Sequence, residues 1–182
     1  MIFFFFDTVK FASASVPEYS LFSPDRYIKV IFSLINERVF YRVLLRGSDV
    51  LQQSKLGLIR DDEDFSQSLV LFKTQPVSVI TDRYFTKNNK RHINSYKVNR
   101  RVFNVRNSAG KKMDIIFQVS NDRVAFRYSF PERTTDVKKI TREITSYKLP
   151  GTAKAWLQPM AVPKSGWEKT NPSYKENYLQ NI

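Results

Sequence analysis

The sequence predicts an all-β fold, a sandwich or barrel built from many short strands. Three observations lead to this prediction. Apolar and polar residues alternate at a period of two from about Glu18 onward. Turn sequences separate the β-rich segments, and no convincing amphipathic helix of about 12 residues or more appears. Hydrophobic residues make up 42% and aromatic residues 14% of the 182 residues, which is enough for the core of one ordinary domain.

The first half of the chain predicts strands separated by tight turns. Strand candidates cover residues 27–35, 38–46 and 54–60. The turns fall at Ser23–Asp25, at Asn36-Glu37 as a short hairpin connection, and at Gly47–Asp49. Four consecutive acids follow at 61–64. A calcium loop of the helix–loop–helix type spaces its ligands at alternate positions, so this run indicates a solvated turn.

The second half continues the same pattern. Strand candidates cover residues 68–85, 93–107, 112–120 and 123–130. The last two flank Asn121-Asp122 as a hairpin. Within the fourth candidate, Val124, Phe126 and Tyr128 are predicted to share one face and the residues between them the other. Residues 137–149 fit a helix or a bent strand equally well, because β-branched side chains are frequent there.

Composition excludes several function classes. There is no Cys, so disulfides, thiolate zinc sites and a Cys nucleophile are absent. No apolar run approaches the roughly 18 residues of a membrane span. Residues 1–17 are a possible degraded signal segment: the apolar stretch Ile2–Phe6 is short and Asp7 interrupts it, but Ala12–Ser15 resembles a cleavage region.

The formal net charge of +13 is compatible with an anionic partner. The basic residues are spread along the chain, with the densest run at 87–101, and no nucleic-acid-binding motif accompanies them. A nucleic-acid partner is therefore not expected. His92, the only His, lies in this run without a nucleophile motif, which favours a loop or strand-edge position over a catalytic one.

The last segment, "GWEKTNPSYKENYLQNI", combines aromatic and acidic residues in the manner of a binding loop. Trp167, Tyr174 and Tyr178 could stack on sugar rings, and Glu168 and Glu176 could bind hydroxyl groups or calcium. The alternative is that these aromatic side chains only pack the segment onto the sandwich. Spacing alone does not place a pair of carboxyl groups across a glycosidic bond, as glycoside hydrolysis requires.

Several segments, taken in order, resemble the N-terminal domain of glycoside hydrolase family 97. They are "LFSPDRYIKVIFSL", "VLQQSKLGLI", "RHINSYKVNRRVFNV", "IIFQVSNDRVAFRYSFP", "AWLQPM" and "GWEKTNPSYKENY". The resemblance covers nearly all of residues 18–182, which form one domain on this interpretation. The ordered set, above all "NDRVAFRY" with "NPSYKENY", is more specific than any single match.

The resemblance implies a β-supersandwich of the galactose-mutarotase type. In this family the sandwich precedes a (β/α)₈ barrel that carries the catalytic acids of calcium-dependent α-glucosidases or α-galactosidases. The enzymes are exported, so the expected location is the periplasm or the exterior of the cell. The expected site residues are Trp167 and Tyr174 for carbohydrate and Glu176 for calcium, with no catalytic residue in this chain.

Three positions depart from the family pattern. Lys175 stands where the motif has its first Glu, and a Lys cation repels a metal ion, which puts calcium binding in doubt. Arg123 replaces a turn Gly at an expected cost of about 1 kcal/mol, and Lys97 replaces an acid. The chain alone is expected to be inactive, as a fragment or truncated copy whose partner is the missing barrel. The alternative is a free-standing β-sandwich module that binds glycans or anionic polymers.

Overall fold

The computed structural model describes residues 16–87, 92–157 and 179–180, and within them the fold is all-β, as predicted. Fourteen strands and no helix are present in this part of the chain. The strands are β1 (Glu18–Phe22), β2 (Ile28–Ile35), β3 (Arg38–Leu45), β4 (Ser48–Leu56), β5 (Leu58–Arg60), β6 (Asp64–Phe65), β7 (Val70–Thr74), β8 (Ser78–Phe85), β9 (Ile93–Arg106), β10 (Lys112–Val119), β11 (Val124–Ser129), β12 (Ile140–Glu143), β13 (Trp156–Leu157) and β14 (Leu179–Gln180). Among the described residues, no helix is long and apolar enough to cross a membrane.

The first sheet is a four-stranded antiparallel meander in the order β1-β2-β3-β4. Its hairpin turns adopt left-handed backbone angles, with φ of 48° at Asn36 and 59° at Glu37, and 50° at Arg46 and 87° at Gly47. Two consecutive positive φ values match the right-handed twist of the flanking strands. The predicted hairpin at Asn36-Glu37 is therefore confirmed, although a side chain longer than Asn occupies the second turn position.

The second sheet is built around the long strand β9. Its order is β11-β10-β9-β7, and β8 also pairs with β9. β8 pairs with residues 93–100, the first part of β9, and β7 with residues 103–106, the last part. The two shorter strands thus share one edge of β9. As a result the β8–β9 hairpin extends the sheet at one end.

The hydrophobic core lies between these two sheets. Phe32 of β2 stacks on Phe103 of β9 with ring centroids 3.9 Å apart and planes 3° from parallel. From β11, Phe126 and Tyr128 pack against the core while Arg127 between them is exposed, as the alternation predicted. Tyr41 is also buried in the core, and this burial raises the pKa of its hydroxyl group.

A third sheet, in the order β12-β5-β6, depends on a break that the sequence did not reveal. The predicted single strand over 54–60 is split at Gly57, between a strand of the first sheet and one of the third. Gly57 has a φ of 153°, and a Cβ atom there would lie 2.9 Å from the carbonyl oxygen of Phe65 and from Cα of Ser66. Only Gly fits this close approach to the neighbouring backbone segment.

Two further expectations are decided by the described backbone. Residues 137–149, which fitted either a helix or a strand, contain the strand β12. The prediction of backbone strain at Arg123 is wrong, because Arg123 does not have a positive φ. The described non-glycine residues with positive φ are Arg26, Asn36, Glu37, Arg46 and Ser68. The turn after β10 therefore does not require a glycine at position 123.

The chain divides into two compact units, residues 1–148 and 149–182. The sheets above belong to the first. In the second unit the described residues include the antiparallel pair of β13 and β14, in which Trp156 is opposite Gln180 and Leu157 is opposite Leu179.

Candidate functional site

The residues predicted to bind carbohydrate and calcium lie outside the described part of the chain. The described residues do not include Trp167, Tyr174, Glu176 or Lys175. Their roles therefore stay predictions.

The acidic run at 61–64 is a network of structural contacts. Asp62 accepts hydrogen bonds from the guanidinium group of Arg60 at 2.8 and 2.9 Å, and it forms an ion pair with Lys138 at 3.0 Å. These cations, Arg60 first, lower the pKa of Asp62 to about 2. Glu63 accepts a hydrogen bond from Asn107 at 2.7 Å. The run forms the turn between β5 and β6, as predicted, but its acids are engaged in hydrogen bonds and ion pairs rather than freely solvated.

Arg60 is the centre of that network. Its side chain is only 2% exposed, and it pairs with Asp62 and Glu132. Its guanidinium carbon lies 4.5 Å from the ring centroid of Phe130 and 5.5 Å from that of Phe65. Two carboxylates and two aromatic faces satisfy the buried cation. This cluster ties the β5–β6 turn to the segment after β11 and is structural.

His92 lies in the loop immediately before β9, one of the two positions, loop or strand edge, that the sequence predicted. It is exposed, and its Nδ1 atom lies 3.3 Å from the carbonyl oxygen of Thr86. In the described ranges, no group of three or more His, Cys, Asp or Glu residues could hold a metal ion.

A polar groove of about 450 Å³ lies on the face of the second sheet that points away from the core. It is formed by the end of β8, the start of β9 and the β10–β11 turn, and is here called the β8–β9 groove. Tyr84 and Tyr96 line it with ring centroids 6.4 Å apart and planes at 63°. Tyr84 is opposite Asn94 and Tyr96 is opposite Asp82 in the β8–β9 pairing, so the two rings are diagonal neighbours on one face.

Charged and amide side chains line the other side of the groove. Arg123 donates a hydrogen bond to Asp122 at 2.9 Å, and Ser120 donates another at 2.6 Å. These contacts, that of Arg123 first, lower the pKa of Asp122 to about 2. Gln118 and Asn121 contribute amide groups to the lining. The groove thus combines two aromatic rings with paired hydrogen-bond donors and acceptors.

The sequence pattern did not bring these residues together, and it assigned no role to Tyr84. Arg123 was considered only as a strained turn residue, and Tyr96 only as part of a family segment. The usable signal was the alternation of β8 and β9, which places Tyr84 and Tyr96 on the same face once the hairpin is recognised. The hairpin itself was not predicted, because its connection is longer than a tight turn.

A second, apolar cleft of about 310 Å³ opens beside β3, β4 and β11. Its lining includes Tyr41, Val43, Leu51, Phe126 and Tyr147. Most of these side chains also belong to the core or pack against it. Asp122 and Arg123 line this cleft as well, but most of its other lining side chains are apolar. The β8–β9 groove adds amide and hydroxyl side chains to the same charged pair, which makes it the better candidate site for a polar ligand.

The fold is an all-β sandwich, and the β8–β9 groove on it combines exposed tyrosine rings with polar side chains. The family model described as "Glycosyl-hydrolase 97 N-terminal" matches residues 21–182. The chain therefore belongs to the family of glycoside hydrolase family 97 N-terminal domains, and the resemblance drawn from the sequence is confirmed.

Solved and curated relatives agree with this assignment. The chain is similar to a β-arabinopyranosidase, with a TM-score of 0.80 and 29% identity, over 88% of this chain and 26% of that one. It shares the fold of a glycoside hydrolase family 97 enzyme from Pseudoalteromonas sp. strain K8, solved with panose, with a TM-score of 0.73 and 23% identity, over 90% of this chain and 24% of that one. A curated probable retaining α-galactosidase of Streptomyces bingchenggensis (strain BCW-1) is 32% identical over 111 residues, which is 61% of this chain and 17% of that protein. The chain thus spans about a quarter or less of these relatives.

Proposed function

We propose that this chain acts as the non-catalytic N-terminal domain of a family 97 α-glycosidase of the α-glucosidase or α-galactosidase type. In this role it supports a (β/α)₈ barrel and contributes a loop to the sugar site of that barrel. The observation that carries the proposal is the family match over residues 21–182, together with solved relatives in which the matched region is about a quarter of a longer chain.

The carboxyl groups of the described residues support a non-catalytic role. A glycosidase needs a proton donor whose pKa is raised, together with a second carboxylate across the sugar. The pKa values of Asp49, Asp62 and Asp122 are lowered by an adjacent cation, Arg42, Arg60 and Arg123 respectively. These groups stay ionised and are engaged in ion pairs, so they are poor proton donors.

Calcium and carbohydrate binding by the last segment are part of the proposal. Glu176 would supply a carboxylate to calcium, while Trp167 and Tyr174 would contact the sugar. The described residues do not themselves fit a calcium site, because no cluster of three or more acidic or His side chains occurs among them. Calcium would therefore need further ligands from outside this part of the chain, and Lys175 opposes its binding. Following the family, we place the protein in the periplasm or outside the cell.

Complementation tests the proposed role. The 182-residue chain is assayed alone against p-nitrophenyl α-glucoside, p-nitrophenyl α-galactoside and p-nitrophenyl β-arabinopyranoside, and then mixed with a separately expressed barrel of a family 97 enzyme. No turnover by the chain alone and increased turnover by the mixture are expected. Turnover by the chain alone, or a barrel that the chain leaves unchanged, would contradict the proposal. Reading the coding DNA after the Ile182 codon shows whether a barrel of its own follows.

The alternative function is a free-standing glycan-binding module. The β8–β9 groove is the observation that favours it, because the groove presents exposed tyrosine rings beside polar side chains. Retardation in a native gel that contains a soluble polysaccharide, with no effect on any family 97 barrel, would select this alternative.

A further inference from the structure

We propose that the β8–β9 groove binds a neutral oligosaccharide. The inference deepens the proposed function, because it rests on the carbohydrate context of the family. It concerns residues of β8, β9 and the β10–β11 turn to which neither the sequence analysis nor the comparisons assign a role.

The exposure of two neighbouring tyrosines is the first argument. Tyr84 is 47% exposed and Tyr96 is 40% exposed, whereas the core aromatic residues Tyr41, Phe32 and Phe103 are at most 2% exposed. Burial therefore does not explain why the aromatic pair is on this face. The face of an aromatic ring is electron-rich and attracts the polarised C–H groups that a pyranose presents on its less polar side. An edge-to-face pair offers two such surfaces at an angle, which suits successive rings of an oligosaccharide.

The polar lining is the second argument. Sugar hydroxyl groups both donate and accept hydrogen bonds, and planar side chains with adjacent donors or acceptors bind them in pairs. Arg123 supplies guanidinium donors, Asp122 supplies carboxylate acceptors, and Gln118 and Asn121 supply both kinds of group. Asp122 is ionised at neutral pH, and its hydrogen bonds with Arg123 and Ser120 lower its pKa further, to about 2. These groups lie on or beside one β-hairpin, which limits the backbone conformational entropy lost on binding.

Charge selects a neutral ligand. The titratable groups that line the groove, apart from the tyrosines, are the cations Lys97 and Arg123 and the carboxylate of Asp122. Arg123 is already paired with Asp122 at 2.9 Å, so the local charge is small in spite of the net charge of +13. A phosphate polymer needs several unpaired cations along its path. The volume of about 450 Å³ is within the range of small-ligand sites.

Titration of the 182-residue chain tests the inference. A ¹⁵N NMR titration uses maltoheptaose as the α-glucan probe and stachyose as the α-galactoside probe. We expect saturable shifts for at least one probe at the backbone amides of Tyr84, Tyr96 and Arg123. Tyr96→Ala should weaken binding about tenfold, as expected for the loss of one aromatic contact. Tyr96→Phe keeps the ring and should bind nearly as the unchanged chain does.

The matched control is Tyr27→Ala. Tyr27 is 53% exposed, on a turn outside the groove, and lies against Arg46. The Tyr27→Ala variant should bind the probes as the unchanged chain does. Each variant is first checked for an unchanged amide spectrum away from the substitution.

Three outcomes would overturn the inference. They are an absence of saturable shifts with both probes at millimolar concentration, shifts confined to residues outside the groove, and equal affinity of the Tyr96→Ala and Tyr27→Ala variants. None of them affects the proposed role beside a barrel, because complementation measures that role through turnover. Conversely, a chain that binds at the groove but does not complement a barrel would contradict the proposed role alone.

Discussion

Replacing Arg60 by Ala tests whether a buried cation holds the third sheet in place. The side chain is 2% exposed, and its charged partners come from both sides of the cluster. Asp62 is two residues away in the chain, whereas Glu132 follows β11. The substitution removes the ion pairs and the contacts with two aromatic rings together, so it should destabilise the whole first unit.

The expected loss can be worked from these contacts. Removing one partner of a fully buried ion pair costs about 3–5 kcal/mol. Here the carboxylates that lose their cation destabilise the fold less, because the side chains of Asp62 and Glu132 are 33% and 30% exposed and can be hydrated. The cation also lies over Phe130 and Phe65, and such contacts contribute about 1–2 kcal/mol when desolvated. A loss of about 3 kcal/mol follows, or about 6–12 °C in Tm for a domain of this size.

The chain provides a matched control in Arg42. Its guanidinium group also pairs with a carboxylate through two hydrogen bonds, to Asp49, but the side chain is 44% exposed. Exposed pairs of this kind contribute about 0–1 kcal/mol. Arg42→Ala should therefore change Tm by only a few degrees. Arg60→Met, which keeps an apolar stem against the rings, should lose about half as much stability as Arg60→Ala.

Urea denaturation followed by circular dichroism measures the free energy of unfolding of all three variants. If Arg60→Ala and Arg42→Ala lose the same free energy, burial is not what makes the Arg60 cluster stabilising, and the reasoning fails. If Arg60→Met is more stable than the unchanged chain, the network is a cost that the fold tolerates, as has been found for other buried ion pairs.

Three further predictions use the same denaturation assay. Gly57→Ala should cost about 3 kcal/mol or more, because its Cβ would lie 2.9 Å from Cα of Ser66; an unchanged midpoint would show that the β4–β5 break can relax. Glu37→Gly should stabilise the chain by about 0.5–1 kcal/mol, because Glu37 has a φ of 59°; destabilisation would show that its side chain contributes more than the strain costs. The pKa of Asp62 is lowered from 3.8 to about 2, first by Arg60, so the stabilisation that Asp62 provides is present above pH 3.8 and is lost as pH falls toward about 2. Asp62→Asn should reduce the loss of stability in this pH window, and an unchanged pH profile would contradict the assignment.

The strands were predictable because their alternation is local. Each residue of β11 that was assigned to the buried face packs against the core, and the Asn36-Glu37 hairpin connects the strands it was expected to connect. Such patterns depend on neighbours within two residues in the chain. Sequence reasoning failed where a distant segment decides the conformation. The break at Gly57 depends on the backbone of residues 65–66, and the role of Arg60 depends on Glu132.

The same distinction explains why the groove was missed. Tyr84, Tyr96 and Arg123 come from three separate segments, and only the joint pairing of β8 and β10 with β9 places them on one face. Alternation on a single strand shows that a tyrosine faces away from the core. It does not show what lies beside that tyrosine on the next strand.

The second sheet also shows why an exposed aromatic pair on it is informative. At its centre the sheet is buried on both faces: Phe103 and Val105 point into the core, while Val102 and Ile116, on the opposite face, are at most 5% exposed. Strands covered on both faces are expected to be apolar on both, as the run Ile115–Phe117 is. The β8–β9 hairpin lies beyond that covered centre, and the tyrosine rings there keep 40% or more of their surface. The two tyrosines at this sheet end lie outside the core cluster, and the proposed oligosaccharide gives a physical reason for their presence there. Their polar surroundings favour a hydroxyl-rich ligand over an apolar one, because an apolar partner would leave Asp122 and Arg123 desolvated without new hydrogen bonds.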